Sequence, residues 1–125
     1  LEFALNYVQI HVQVATVCSK LGKWQEAIEN YKNYLKIDPI FERTYFRLGK
    51  AYMKLGKYKE AEETYISALK WHPESVNMFI KLGAVCYKQK KYSDAEKFYK
   101  KAIEIKPESK HALERLKIIY EKTKK

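Results

Sequence analysis

The three prolines of this 125-residue chain, Pro39, Pro73 and Pro107, stand 34 residues apart, and other positions follow the same interval. Ala27, Ala61 and Ala95 share it, as do Tyr31, Tyr65 and Tyr99, and the aromatic set Trp24, Tyr58 and Tyr92. Gly22 pairs with Gly56 and Gly49 with Gly83, so every glycine and proline lies on one lattice. A period of this size marks stacked supersecondary units, each too small to bury its apolar face alone.

Within a unit the apolar spacing is helical. Tyr45, Leu48, Gly49 and Tyr52 fall at i, i+3, i+4 and i+7, and Ala61, Tyr65, Ala68 and Leu69 form a second stripe, so each unit predicts two helices. Leu21-Gly22-Lys23 and Leu55-Gly56-Lys57 separate the stripes, where glycine takes the left-handed conformation that ends a helix; the third turn has Lys90 instead, a poorer cap. Proline closes each unit because it cannot continue a helix. Small residues at Ala15, Gly49 and Gly83 let two helix backbones approach, with Tyr31, Tyr65 or Tyr99 as the large partner. Ser75 and Ser109, two residues after a proline, are placed to cap the helices that follow. Composition agrees: 46% hydrophobic residues and eleven tyrosines exclude a disordered chain, while four glycines and three prolines are too few for the turns of an all-β fold. The length fits a single domain over residues 1–125.

The chain resembles the tetratricopeptide repeat family. That family's pattern reads Tyr45, Leu48-Gly49, Tyr52, Ala61, Tyr65, Ala68 and Pro73 in the second unit, and Phe79, Leu82-Gly83, Cys86, Ala95, Tyr99, Ala102 and Pro107 in the third. The first is degenerate, with His11, Val14-Ala15, Cys18, Ala27, Tyr31, Tyr34 and Pro39. The resemblance implies an all-α, right-handed superhelical solenoid with repeats at about 8–41, 42–75 and 76–109, closed by a capping helix at about 110–122. Lys110, Lys117 and Lys124 supply that helix's polar side.

Val8, Ile10, Val12 and Val14 alternate with polar residues as a strand would, but the repeat register places them on a helix opposite Trp24 to Leu35, and propensity is weak against such context. The charge-free stretch from Phe3 to Ser19 is too polar and too short to cross a bilayer, so no membrane insertion is expected and the default location is cytoplasmic. The start at Leu1-Glu2 points to an excised or processed N-terminus.

Nothing in the sequence points to catalysis. Cys18 and Cys86 are two repeats apart, too far for a disulfide, and are expected as free, buried thiols. His11, His72 and His111 are scattered without partners at metal-ligand spacing, and no phosphate loop, nucleophile elbow or acid pair is present. Acidic residues gather at the start of each second helix, where the helix dipole favours them. We therefore expect no enzyme, no cofactor and no metal.

Charge distribution remains. The resemblance implies that the first helix of each repeat lines a concave groove, and helical spacing selects 24 such positions holding nine basic and two acidic residues, a net of +7 out of the chain's +10. From these come the expected groove residues: Arg43, Phe46, Arg47, Lys50, Met53 and Lys54 in the second repeat, Asn77, Ile80, Lys81, Tyr87 and Lys88 in the third, and Arg115 in the capping helix. A scaffold or adaptor holding an acidic or phosphorylated peptide is the leading function. Nucleic-acid binding, with Arg43, Arg47, Lys50 and Lys54 flanking Phe46, is the second reading, and the resemblance weighs against it. The family's clamp for chaperone carboxylate tails maps onto Val12, Thr16, Arg47, Asn77 and Lys81, of which only Lys81 keeps the required charge, so chaperone tails are disfavoured.

The first helix is apolar on more than one side. Ile10, Val14 and Val17 occupy the register of Thr44, Leu48 and Ala51, positions that should pack on a preceding helix. This face implies a longer repeat array or self-association, with Phe3 and Leu5 placed to cover part of it.

Overall fold

The computed structural model describes residues 2–124, with side chains from residue 9 onward. Its described residues form seven helices and no strand: α1 (Glu2–Lys20), α2 (Trp24–Ile37), α3 (Glu42–Lys54), α4 (Tyr58–Leu69), α5 (Val76–Lys88), α6 (Tyr92–Ile105) and α7 (Lys110–Thr123). The alternating valines lie within α1, where register prevails over local strand propensity. Coverage of that helix by Phe3 and Leu5 lies outside the described side chains.

Helices α1, α3 and α5 stop for a reason visible in the backbone. After α1, Lys23 N–H donates to Cys18 O at 2.8 Å and Gly22 N–H to Ser19 O at 3.1 Å, closing the helix with a left-handed residue at Gly22, φ +75°. The same pair of bonds recurs after α3, around Gly56 at φ +72°, and after α5, around Lys90 at φ +62°. The third turn thus keeps its geometry with a side chain that strains the left-handed region. Helices that follow a proline start on a cap where the sequence provides one. Ser75 Oγ accepts from Met78 N–H at 3.1 Å and Ser109 Oγ from Ala112 N–H at 3.3 Å. Phe41 precedes α3 and has no side-chain cap.

The chain divides into two compact units, Leu1–Thr64 and Tyr65–Lys125. In the first, α2 packs against both α1 and α3 around Ala15, Cys18, Ala27, Ile28, Tyr31, Leu48 and Ala51, with Trp24, Leu35 and Tyr52 at the margin. His11 Nδ1 lies 3.0 Å from Asn30 Oδ1, and Asn30 Nδ2 donates to Glu26 O at 3.0 Å, so the amide oxygen faces the ring and Nδ1 carries the proton. Tyr45 Oη donates to Pro39 O at 2.7 Å and ties α3 to the loop before it.

In the second unit α6 packs against α5 and α7, and Met78, Leu82, Val85, Cys86 and Tyr99 have almost no exposed surface. The close approach expected at the small-residue position is present. A Cβ on Gly83 would sit 2.6 Å from Cε1 and Cζ of Tyr99. Both cysteines are free and buried.

Three outcomes follow. Gly83→Ala should lower unfolding free energy by about 1–3 kcal/mol, because the rigid ring of buried Tyr99 must move; denaturant titration measures it. Lys90→Gly should raise stability by about 1 kcal/mol by relieving the left-handed strain, read as a higher melting temperature. Burial pushes the phenols of Tyr65 and Tyr99 up to about 12 from an ordinary 10. The unfolded chain therefore loses these protons first, and stability should fall as pH rises between about 10 and 12. In an absorbance titration, these two tyrosines should ionise only as the fold is lost.

Candidate functional site

In the first unit, α1, α2 and α3 surround an open cleft of about 280 Å³. Trp24 and Tyr31 of α2 supply its aromatic wall, Thr16 and Ser19 of α1 its hydroxyls, and Lys20, Arg47 and Lys50 its charge. Lys20 stands in the last turn of α1, where the dipole favours a cation. Arg47 and Lys50 are one turn apart on α3 and share a face, a placement that mildly destabilises a helix through like-charge repulsion. Among the described residues no carboxylate pairs with any of the three. A bound anion would relieve that repulsion.

The hydroxyls are arranged to accept or donate in definite ways. Thr16 Oγ1 donates to Val12 O at 2.8 Å, so it faces a ligand only as an acceptor. Ser19 Oγ and Tyr31 Oη lie 3.2 Å apart; one donates to the other, and the second proton remains for a ligand. Beside the cleft, Cys18 Sγ donates to Glu26 Oε2 at 3.6 Å, and burial together with this carboxylate raises the thiol's pKa. That thiol stays protonated and is a poor nucleophile.

The expected site residues divide. Arg47 and Lys50 line the cleft, whereas Arg43, Phe46, Met53 and Lys54, also on α3, are not among its lining residues. Arg43 and Lys54 are exposed, and Phe46 and Met53 are half-buried. In the second unit Asn77, Lys81 and Lys88 of α5 and Arg115 of α7 are exposed, and Tyr87 is half-buried, its ring edge-on to Tyr92 at 5.6 Å. Ile80 is buried and has little surface to offer, contrary to the expectation of an apolar pocket there. Arg115 Nε donates to His111 Nε2 at 3.4 Å. Trp24 and Tyr31 line this cleft from α2, whereas the register assigns only first helices to the groove. Among the described residues no group of three or more His, Cys, Asp or Glu side chains could hold a metal, and no helix is long and apolar enough to cross a membrane.

Comparison with known proteins places this geometry. A tetratricopeptide repeat family model matches residues 41–108, more than half of the chain, and a second TPR repeat model matches residues 17–56. The chain belongs to the tetratricopeptide repeat family. No curated protein matches the sequence. Among solved structures, the first TPR of Spaghetti (RPAP3) bound to the HSP90 peptide SRMEEVD is 22% identical, with a TM-score of 0.83 over 96% of this chain and 95% of that one. The second TPR domain of human RPAP3, in complex with the HSP70 peptide SGPTIEEVD, is also 22% identical, with a TM-score of 0.80 over 93% and 97%. The Arabidopsis OM64 TPR domain is 17% identical, with a TM-score of 0.79 over 94% and 98%. These likenesses establish an all-α tetratricopeptide fold.

They also correct one expectation. Disfavouring chaperone tails rested on side-chain identity at fixed register positions, yet two tetratricopeptide domains of closely similar fold hold such peptides. A carboxylate can be gripped by any cation that reaches it, so a mismatch in position is no ground for exclusion.

Proposed function

We propose that the chain is a non-catalytic protein-interaction module, a scaffold or adaptor, that holds an acidic or phosphorylated peptide segment. The observation that carries this reading is the cleft itself: Lys20, Arg47 and Lys50 surround the aromatic pair Trp24 and Tyr31, with no carboxylate of their own among the described residues. Arginine grips a carboxylate or phosphate bidentately, lysine adds a point charge, and the rings offer flat apolar surface to a neighbouring side chain. Arg43, exposed on the same unit, stands in the proposal as a further cation for an acidic chain. The acidic peptides held by the two RPAP3 domains support the ligand class.

Nucleic-acid binding shares the charge but predicts a different response to salt. Phosphate-backbone binding through several cations weakens steeply and log-linearly with salt, whereas a peptide seated partly on Trp24 and Tyr31 responds less. Fluorescence polarisation with labelled SRMEEVD peptide, a serine-phosphorylated peptide, a glutamine-substituted control and single-stranded DNA distinguishes the two. Saturable binding of an acidic peptide is expected, weakened at least tenfold by Arg47→Glu with Lys50→Glu while the melting temperature holds. Equal binding of the glutamine control, or DNA binding with a defined site size that survives physiological salt, would overturn the reading.

A further inference from the structure

Helix α1 leaves Ile10, Val14 and Val17 exposed with no charge among them to select an occupant, but its Thr16, Ser19 and Lys20 line the cleft of the first unit, where charge is selective. Lys20, Arg47 and Lys50 bring three positive charges into that lining, and no aspartate or glutamate stands among its seven residues. Elsewhere on the unit the signs are mixed: a shallow depression along α2 is lined by Glu29 and Asn33 together with Lys32 and Lys36. With 25 basic residues against 15 acidic ones, an ordinary solvated surface of this chain resembles that depression and not the cleft.

A cleft of about 280 Å³ falls just below the ~300–1,000 Å³ of small-molecule pockets, so it has room for one side chain of a peptide and not for a run of them. The group that meets all three cations must be compact. A glutamate brings one negative charge and leaves two cations unbalanced. Successive acidic residues do not make up the difference, because side chains of an extended peptide point to alternate sides and same-side neighbours are about 6.6 Å apart. A phosphodiester likewise carries one charge per phosphate. A phosphomonoester carries about −1.5 to −2 near neutral pH on one centre with three acceptor oxygens. Arginine holds two such oxygens side by side, and the lysines supply the remaining charge. The proton left over between the hydroxyls of Ser19 and Tyr31, 3.2 Å apart, adds a neutral donor. Thr16 Oγ1, whose own proton goes to Val12 O, accepts, and suits a backbone N–H of the chain that carries the phosphate.

Resting on the peptide-holding role proposed above, we infer that the cleft takes one phosphorylated side chain of a partner peptide, preferring a phosphomonoester dianion to a carboxylate. Lys20 from α1 and Arg47 and Lys50 from α3 bind the phosphate, and half-buried Trp24 of α2 offers its ring to the residue beside it. Phosphorylation of the partner then switches capture on, since an unmodified serine or threonine brings no charge. No histidine, cysteine or carboxylate lines the cleft from α1, α2 or α3. Cys18 and Glu26 beside it are closed on each other at 3.6 Å, and His11 faces Asn30 outside the lining. A pH dependence of binding between about 5.5 and 7.5 therefore comes from the ligand, because a phosphomonoester loses its second proton near pH ~6 and a glutamate its proton near ~4.3.

Isothermal titration calorimetry of the 125-residue chain with three peptides that differ at one central residue, phosphoserine, glutamate or serine, between uncharged flanks, tests this. At about pH 7.5 the phosphoserine peptide should bind at least fivefold more tightly than the glutamate peptide, and the serine peptide should not bind. Lowering the pH to about 5.5 should weaken the phosphoserine peptide about fourfold as the dianion is protonated, and leave the glutamate peptide unchanged. Lys20→Gln with Lys50→Gln, both at exposed positions, should bring the two acidic peptides within twofold of each other with circular dichroism unchanged. Inorganic phosphate should displace the phosphoserine peptide only at concentrations at least tenfold above the peptide's own Kd. A preference below fivefold overturns the phosphate selectivity and leaves the acidic-peptide role standing, whereas failure of both acidic peptides to bind overturns the two together. A preference above twofold in the double variant removes the cleft as its source, and displacement by inorganic phosphate at lower concentration replaces the peptide with a free anion; either result sinks the inference.

Discussion

Tyr99 lies so close to the backbone at Gly83 that no side chain fits between them, and this contact sets how near α5 and α6 can come. Once the ring fills that space, Leu82, Val85 and Cys86 on one helix and Ala95 and Ala102 on the other lose their water. The first unit builds the corresponding site with Ala15 and Tyr31, both fully or nearly buried in one cluster. Tyr31 then serves twice. Its ring belongs to the core, while its hydroxyl reaches Ser19 at the lip of the cleft. Core packing and the wall of the cleft are thus joined through one side chain.

Between the helices the chain uses one device repeatedly. Three turns make the same two backbone hydrogen bonds around a left-handed residue, whether that residue is Gly22, Gly56 or Lys90. The shape of the turn is imposed by the helices that flank it, and the residue at its apex sets only the strain. Because the turns are alike, the first helices recur in register and carry their cations at comparable places, Lys20 on α1, Lys54 on α3 and Lys88 on α5. Basic residues in these last turns also interact favourably with the helix dipoles, so the positive surface and helix stability draw on the same charges.

Much of this was legible in the sequence, because a fixed interval records packing geometry directly. The helix pairs, the serine caps, the left-handed turn at Lys90 and the small-residue position at Gly83 all follow from lattice position and side-chain size. Register also settled the valine-rich part of α1 correctly against its strand-like alternation. Burial at single sites was harder to read. Ile80 and Phe46 share a register position, yet Ile80 is buried and Phe46 only half-buried, since depth depends on the bulk of neighbours that spacing does not report. Trp24 and Tyr31 escaped the groove assignment because a rule naming one helix per repeat cannot see an aromatic edge reaching past the other. Charge matching against a known clamp failed differently, by demanding identity of position where the chemistry requires only reach.

The connectivity of the packing carries a kinetic consequence. Within each unit the principal helix contacts join elements consecutive in the chain, α1 with α2, α2 with α3, α5 with α6 and α6 with α7. The turn from α1 to α2 spans only Leu21, Gly22 and Lys23, and the turn from α5 to α6 is equally short. Little chain entropy is spent in bringing such partners together, so the search for native contacts is brief and the folding barrier is low. The same locality lets a terminal helix detach and redock without dismantling the remainder of its unit, so amide exchange should be fastest at the outer helices and slowest beside Tyr99.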